Sequence, residues 1–105
     1  MSLKLPIACS LGAEASADRI REWQTFLRGS VVSADLQGTI LRLRLVVSDG
    51  VLVAAADLAS REKACCPFLD FAIEIEQDAR TLRIEAPAAA SQVLEDLAGL
   101  RGRPG

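Results

Sequence analysis

The sequence predicts an α+β domain with helices packed on one face of a mainly antiparallel sheet of four or five strands. Along the chain, segments in which apolar residues recur every three to four positions, as in a helix, alternate with segments in which they recur every second position, as in a strand. The order of these segments is helix, hairpin, helix, hairpin, helix, and 50% of the residues are hydrophobic, enough for one core. We therefore expect a single domain over 1–105, ordered from about 5 to 100, with a flexible tail at 101–105.

The first helix is predicted over 13–28. Ile20, Trp23 and Leu27 follow one another at spacings of three and four, so the helix has one apolar face, with Phe26 at its edge. Gly29 follows, and glycine is the residue that most commonly ends a helix.

Two hairpins are predicted from alternating apolar and polar residues. The first joins strands at 31–36 and 41–45 through a turn near Gly38, and its first strand is expected to bury Val32, Ala34 and Leu36. The second joins strands at 69–75 and 82–86. A further strand over 4–9 would make the sheet five-stranded.

The second helix is predicted over 49–65 and the last over 88–100. Apolar residues of the second helix fall on one side and charged residues elsewhere; the apolar set is Val51, Ala55, Leu58 and Cys65, and the charged set is Asp57, Arg61 and Glu62. Pro67 ends this helix because a residue before proline, here Cys66, is pushed out of the helical region.

Composition excludes several classes of function. The net charge is −2, with 12 basic and 14 acidic residues and no dense basic run, so direct nucleic-acid binding is not expected. The longest apolar run, 51–56, is far shorter than the roughly 18 residues of a membrane span, and the N-terminus lacks the apolar core of a signal peptide. We expect a cytoplasmic protein without a membrane partner. The absence of His and Tyr excludes catalysis that depends on either side chain.

The three cysteines, Cys9, Cys65 and Cys66, are the candidate site. Cys65 continues the apolar face of its helix as a small hydrophobe, but Cys66 points about 100° away and needs another explanation. A bridge between the two would be strained, because adjacent Cα atoms are about 3.8 Å apart. A bridge from Cys9 to either would act in the cytosol as a redox switch.

Catalysis by a thiolate is disfavoured at this position. The C-terminal end of a helix carries partial negative charge, no histidine is present to take a proton, and only Arg61 and Lys63 lie close by in the sequence. We therefore do not expect an enzyme.

A soft metal or metalloid site is the third interpretation of the cysteines. Three sulfur ligands favour Hg(II), As(III) or Cu(I). Zn(II) ranks below these ions, since it would need a fourth ligand such as water, Glu62 or Asp70. The aromatic residues are expected to fill the core; they are Trp23, Phe26, Phe68 and Phe71. The alternative is that Trp23 and Phe68 wall a small apolar chamber around the sulfurs.

The combination of motifs resembles a family of small uncharacterised bacterial domains. It consists of Ala-Cys-Ser-Leu at 8–11, Glu-Trp at 22–23, Glu-Lys-Ala-Cys-Cys-Pro-Phe at 62–68, and Phe71. Members occur alone or behind the helix-turn-helix domain of MerR-type regulators, whose relatives respond to metals, oxidants or drugs. The resemblance implies a site at Cys9, Cys65 and Cys66, packed by Trp23, Phe68 and Phe71.

These observations predict a small domain that binds a thiophilic metal or metalloid ion, or a related effector, through Cys9, Cys65 and Cys66, in metal handling or sensing. A regulator or resistance protein is the expected partner. The first alternative is a non-enzymatic interaction module with inert core cysteines, built as a homodimer. The second alternative is a thiol redox switch.

Overall fold

The computed structural model describes residues 13–102, with side chains from 17 to 100. Over this range the fold is α+β, as the sequence predicts, with three α-helices and a four-stranded antiparallel sheet. The elements are α1 (Ala13–Ser30), β1 (Val31–Gln37), β2 (Ile40–Leu45), α2 (Asp49–Cys65), β3 (Asp70–Ile75), β4 (Arg80–Glu85) and α3 (Ser91–Gly102). The expected strand at 4–9 lies outside the described residues.

The sheet has the strand order β1-β2-β4-β3, so each hairpin supplies one central and one edge strand. On the buried face Leu41 is paired with Ile84, and Leu43 with Leu82, and all four side chains are fully buried. The β1–β2 turn is made at Gly38, whose φ of 64° lies in the left-handed region that glycine adopts without steric cost. The two hairpins are therefore joined through β2 and β4, whose inward side chains are fully buried.

The helices cover the apolar face of this sheet. α3 contacts β1, β2 and α1, while α2 contacts β3 and α1. Trp23, Leu27 and Leu94 are among the largest fully buried side chains, so the core lies between the helices and the sheet. Among residues 13–102, no helix is both long enough and apolar enough to cross a bilayer.

The inward face of α1 differs from the one predicted. Trp23 and Leu27 are buried as expected, and Phe26 is buried rather than marginal, but Ile20 is 48% exposed. The reason is that Arg19, not Ile20, lies four residues before Trp23 and takes the inward position in that turn. The helix also continues past Gly29 to Ser30, whose carbonyl accepts a hydrogen bond from the Val46 N–H at 2.8 Å.

A register shift between Val31 and Ser33 changes the first strand. Val31 is paired with Leu45 and is buried, whereas Val32, expected on the buried side, is 56% exposed. A bulge places one additional residue in a strand, so the alternation of inward and outward side chains changes phase at the bulge. The side chains before the bulge then lie on the opposite face of the sheet from the one predicted by extending the alternation of the residues after it. Ala34 and Leu36 remain partly buried against the core.

The other elements fall close to their predicted positions. α2 spans the predicted 49–65. The last helical segment begins with a 3-10 turn, Ala88–Ala90, before α3.

Candidate functional site

The two adjacent cysteines lie where α2 ends. Cys65 is the last helical residue, and Cys66 has φ −123° and ψ 75°, outside the helical region, as Pro67 predicts. The Cys66 N–H still donates to the Glu62 carbonyl at 2.7 Å, and the Leu69 N–H donates to the Cys66 carbonyl at 3.0 Å. A tight turn therefore fixes the backbone on both sides of Cys66.

Cys66, not Cys65, is the buried cysteine. Cys66 is 2% exposed and belongs to the hydrophobic core, while Cys65 is only partly buried beside it. The expectation from helical geometry was the reverse, and it fails because Cys66 has left the helix, so the 100° step no longer applies to it.

The two sulfurs also differ in chemical state. Cys66 is disulfide-bonded, whereas Cys65 is a free thiol. Cys9, the third cysteine of the predicted site, lies outside the described residues.

The carboxylate of Glu62 lies against Cys66. Its Oε2 is 3.1 Å from Cys66 Sγ, and its Oε1 accepts hydrogen bonds from Trp23 Nε1 at 2.9 Å and from Arg19 Nη1 at 3.1 Å. Glu62 is 8% exposed, although the helical spacing of α2 predicts it to lie away from the buried face. An ionised carboxylate tolerates burial only when it is paired and hydrogen-bonded, and both conditions are met here.

Arg19 connects this carboxylate to the second cysteine. Its Nη2 lies 3.8 Å from Cys65 Sγ, and its Nε lies 3.4 Å from a Glu22 oxygen. Burial acts to lower the pKa of Arg19, but the hydrogen bond and charge of Glu62, assisted by Cys65, raise that pKa above its ordinary value. The guanidinium therefore stays charged next to the Cys65 sulfur.

The cations expected near the cysteines have other partners. Arg61 pairs with Glu22 and Asp57, each at 2.9 Å, on the exposed side of α1 and α2. Lys63 Nζ donates to the carbonyls of Pro67 and Leu69, both at 2.8 Å. These two hydrogen bonds of Lys63 stabilise the turn that follows the cysteines. The cation beside the Cys65 sulfur is Arg19, which belongs to α1.

The aromatic residues divide between the site and the core. Trp23 takes part in the site through its indole N–H, and its ring packs edge to face on Phe26, with centroids 6.1 Å apart. Phe68 and Phe71 are partly buried and pack against the hydrophobic core. Trp23 therefore has a polar role, as a hydrogen-bond donor to Glu62, in addition to its packing in the core.

Within the part of the chain that the structure describes, no group of three or more Cys, His, Asp or Glu side chains is placed to hold a metal ion. What the described residues bring together is a sulfur in a disulfide, a buried carboxylate in contact with it, and a guanidinium beside a free thiol. A guanidinium stabilises negative charge on a neighbouring sulfur, so the arrangement suits thiol chemistry.

Comparison with protein-family models, with curated proteins and with solved structures finds no match for the chain.

Proposed function

We propose that this protein is a thiol–disulfide redox module in which Cys66 alternates between a disulfide and a buried thiol. The observation that carries the proposal is the contrast between neighbours: Cys66 is disulfide-bonded and packed against Glu62, while Cys65 is free. In a reducing compartment a disulfide of this kind is transient and regulatory rather than a structural staple.

Cys9 is the proposed partner of Cys66, because the sequence holds three cysteines and Cys65 is free. The reductant is a partner dithiol. One of its thiolates attacks the disulfide and forms a mixed disulfide, and its second thiol then displaces the protein sulfur. The partner leaves as a disulfide and the protein keeps two thiols. Oxidation by a partner disulfide runs the same steps in reverse.

The proposal is tested by equilibrating the folded protein in buffers of defined dithiol-to-disulfide ratio, then trapping free thiols by alkylation and counting them by mass spectrometry. We expect a reversible two-electron transition that is lost in Cys66→Ser and in Cys9→Ser. Cys65→Ser is the matched control and should still cycle. The proposal is overturned if the native protein keeps three free thiols under oxidising conditions. It is also overturned if dithiols reduce the disulfide only after the protein has been unfolded.

A second candidate is the binding of a thiophilic ion to the reduced protein, as the resemblance to MerR-associated domains implies. It is favoured by the adjacency of Cys65 and Cys66, which would offer two sulfurs on one turn, with Cys9 as the proposed third ligand. An ion and a disulfide would compete for the Cys66 sulfur, so binding should require prior reduction.

This second candidate is tested by anaerobic titration of the reduced protein with Hg(II), arsenite, Cu(I) and Zn(II), following sulfur-to-metal absorption bands. Stoichiometric binding that disappears in the Cys65→Ser, Cys66→Ser double variant would support it. Unchanged affinity in that variant would refute it. If the cysteines neither cycle nor bind an ion, an interaction module with inert cysteines is the function left, and its oligomeric state becomes the first measurement.

A further inference from the structure

We infer that the face of the sheet opposite the helices is a docking surface for an extended, acidic segment of a partner protein, with Arg42 and Arg44 as its anchoring cations. The helices contact the face on which Leu41 and Leu43 are buried, whereas the alternate residues of β2, Arg42 and Arg44, are exposed. This exposed side, the outer face, lies across the sheet from α2 and its cysteines, so its role does not depend on the proposed redox function.

Positive charge is concentrated at the centre of the outer face. Arg42 on β2 is paired directly with Arg83 on β4, and Arg44 follows two residues along β2. Like charges directly opposite each other destabilise a sheet. Arg83 is compensated by Glu74 and Glu85, at 3.4 and 3.3 Å. Arg42 and Arg44 form no ion pair among the described residues, so two guanidinium groups are presented to an incoming anion.

The bulge in β1 adds an apolar contact beside these cations. Val32 lies between the buried Val31 and Ser33, which is paired with Arg44, and the Val32 side chain is 56% exposed. Val46, two residues after Arg44 on β2, is 40% exposed. Bulges are common next to functional sites, where they redirect a side chain. We expect the two valines to contact an apolar side chain of the partner segment, next to its carboxylates.

The spacing and the charge of the outer face fit an extended acidic peptide. Residues two apart on a strand are about 7 Å apart, and alternate side chains of an extended peptide lying along β2 have the same spacing. Each of two alternate carboxylates can then pair with one guanidinium, whose planar fork binds both carboxylate oxygens. A partner segment with glutamate at alternate positions therefore matches Arg42 and Arg44 in both charge and spacing.

Two other occupants fit the outer face less well. Asp35 is paired with Arg42 from β1, and Glu74 and Glu85 lie beyond Arg83 on the other side. A phosphate backbone would therefore meet negative charge on both sides of the arginines. None of the outward-facing residues of the four described strands is aromatic, so the face offers no platform on which bases stack. A second copy that used the same face would bring arginines against arginines near the two-fold axis.

The test measures binding of a fluorescein-labelled peptide with glutamate at alternate positions and leucine near one end, by fluorescence anisotropy at low ionic strength. The control peptide has glutamine in place of glutamate. We expect the wild type to bind the acidic peptide at least about tenfold more tightly than the control peptide, and to lose this preference as salt is added. The double variant Arg42→Gln, Arg44→Gln should bind the acidic peptide at least about tenfold more weakly than the wild type does.

A matched control variant separates the outer face from net charge. Arg21→Gln, Arg28→Gln removes the same charge from α1 and should bind as the wild type does. Val32→Ser should weaken binding about threefold, because it removes apolar contact and no charge. The Tm of Arg42→Gln, Arg44→Gln should stay within about 3 °C of the wild type, since neither arginine forms an ion pair among the described residues.

Several outcomes would overturn the inference. Equal loss of affinity in the two double variants would show that only net charge matters, and a larger fall in Tm would show that Arg42 and Arg44 serve the fold. A single-stranded oligonucleotide that binds more tightly than the acidic peptide would make nucleic acid the occupant. A wild-type dimer that Arg42→Gln, Arg44→Gln dissociates would make a second copy the occupant. The redox transition of the cysteines should be unchanged in this variant, so the failure of either proposal is distinguishable from that of the other.

Discussion

Replacing Trp23 with Phe tests how far the buried carboxylate depends on the indole N–H. The Nε1 to Oε1 distance is 2.9 Å and Trp23 is 2% exposed, so water cannot take the place of the lost donor. A hydrogen bond to a charged group contributes about 1.5–3 kcal/mol, and the smaller ring leaves a cavity that costs about 1 kcal/mol more. We therefore expect Trp23→Phe to lower the free energy of unfolding by about 2.5–4 kcal/mol.

The measurement is urea unfolding followed by far-ultraviolet circular dichroism, since Trp23 is the single tryptophan and its fluorescence is lost in the variant. The cysteines must be held in one redox state throughout, because a changing disulfide would break two-state behaviour. In thermal unfolding the same loss corresponds to a decrease in Tm of about 10–30 °C for a domain of this size.

A double-mutant cycle separates the hydrogen bond from the packing of the ring. In the Glu62→Gln background the acceptor is neutral, so Trp23→Phe should cost at least about 1 kcal/mol less than in the wild type. An equal cost in both backgrounds would show that the indole stabilises the protein through packing alone. A cost below about 1 kcal/mol in the wild type would refute the assignment of Trp23 to the carboxylate.

Three further predictions concern the scaffold. Leu43→Ala should destabilise the protein by about 2–5 kcal/mol in denaturant titrations, because Leu43 is fully buried on a central strand, whereas Val53→Ala, at 68% exposed, should change stability by less than about 0.5 kcal/mol. Gly38→Ala should cost about 1–2 kcal/mol and lower Tm, because φ at this turn is 64°; an unchanged Tm would contradict the assigned turn. Lys63→Met removes both hydrogen bonds from Lys63 to the carbonyls of the turn after Cys66 and should destabilise this turn by about 1 kcal/mol. The rate at which the reduced Cys66 is alkylated should then rise about fivefold. An unchanged alkylation rate would show that Lys63 does not stabilise the turn.

The elements could be predicted from the sequence because their signals are local. Alternation defined both hairpins, and Pro67 marked the end of α2. The bulge after Val31 could not be predicted in this way, since a bulge depends on how the strand pairs with β2. If the alternation of apolar and polar residues is extended through the bulge, it places Val32 on the buried face of the sheet, whereas its side chain is exposed.

The site was predicted only in part. The cysteine pair was visible in the sequence, but the helical spacing placed Glu62 off the apolar face of α2, and nothing singled out Arg19, because charged residues are rarely buried. Their burial depends on the approach of α1 to α2, which no local pattern encodes. One signal was available: Arg19 lies four residues before Trp23, and Glu62 lies four residues before Cys66, so each charged residue precedes a core residue by about one helical turn.

The burial of Glu62 is difficult to explain by stability alone. Its neighbours on the inner side of α2, Leu58 and Ala59, are apolar, and an apolar side chain at position 62 would avoid the cost of removing an ion pair from water. Replacing a buried ion pair with well-packed apolar residues is often neutral or stabilising, so the pair with Arg19 contributes little that leucine and methionine could not supply. What an apolar pair could not supply is a polar oxygen 3.1 Å from the Cys66 sulfur, or a cation beside the Cys65 thiol. If the protein has the proposed redox function, these two contacts at the sulfurs are what the network contributes beyond the stability of the fold.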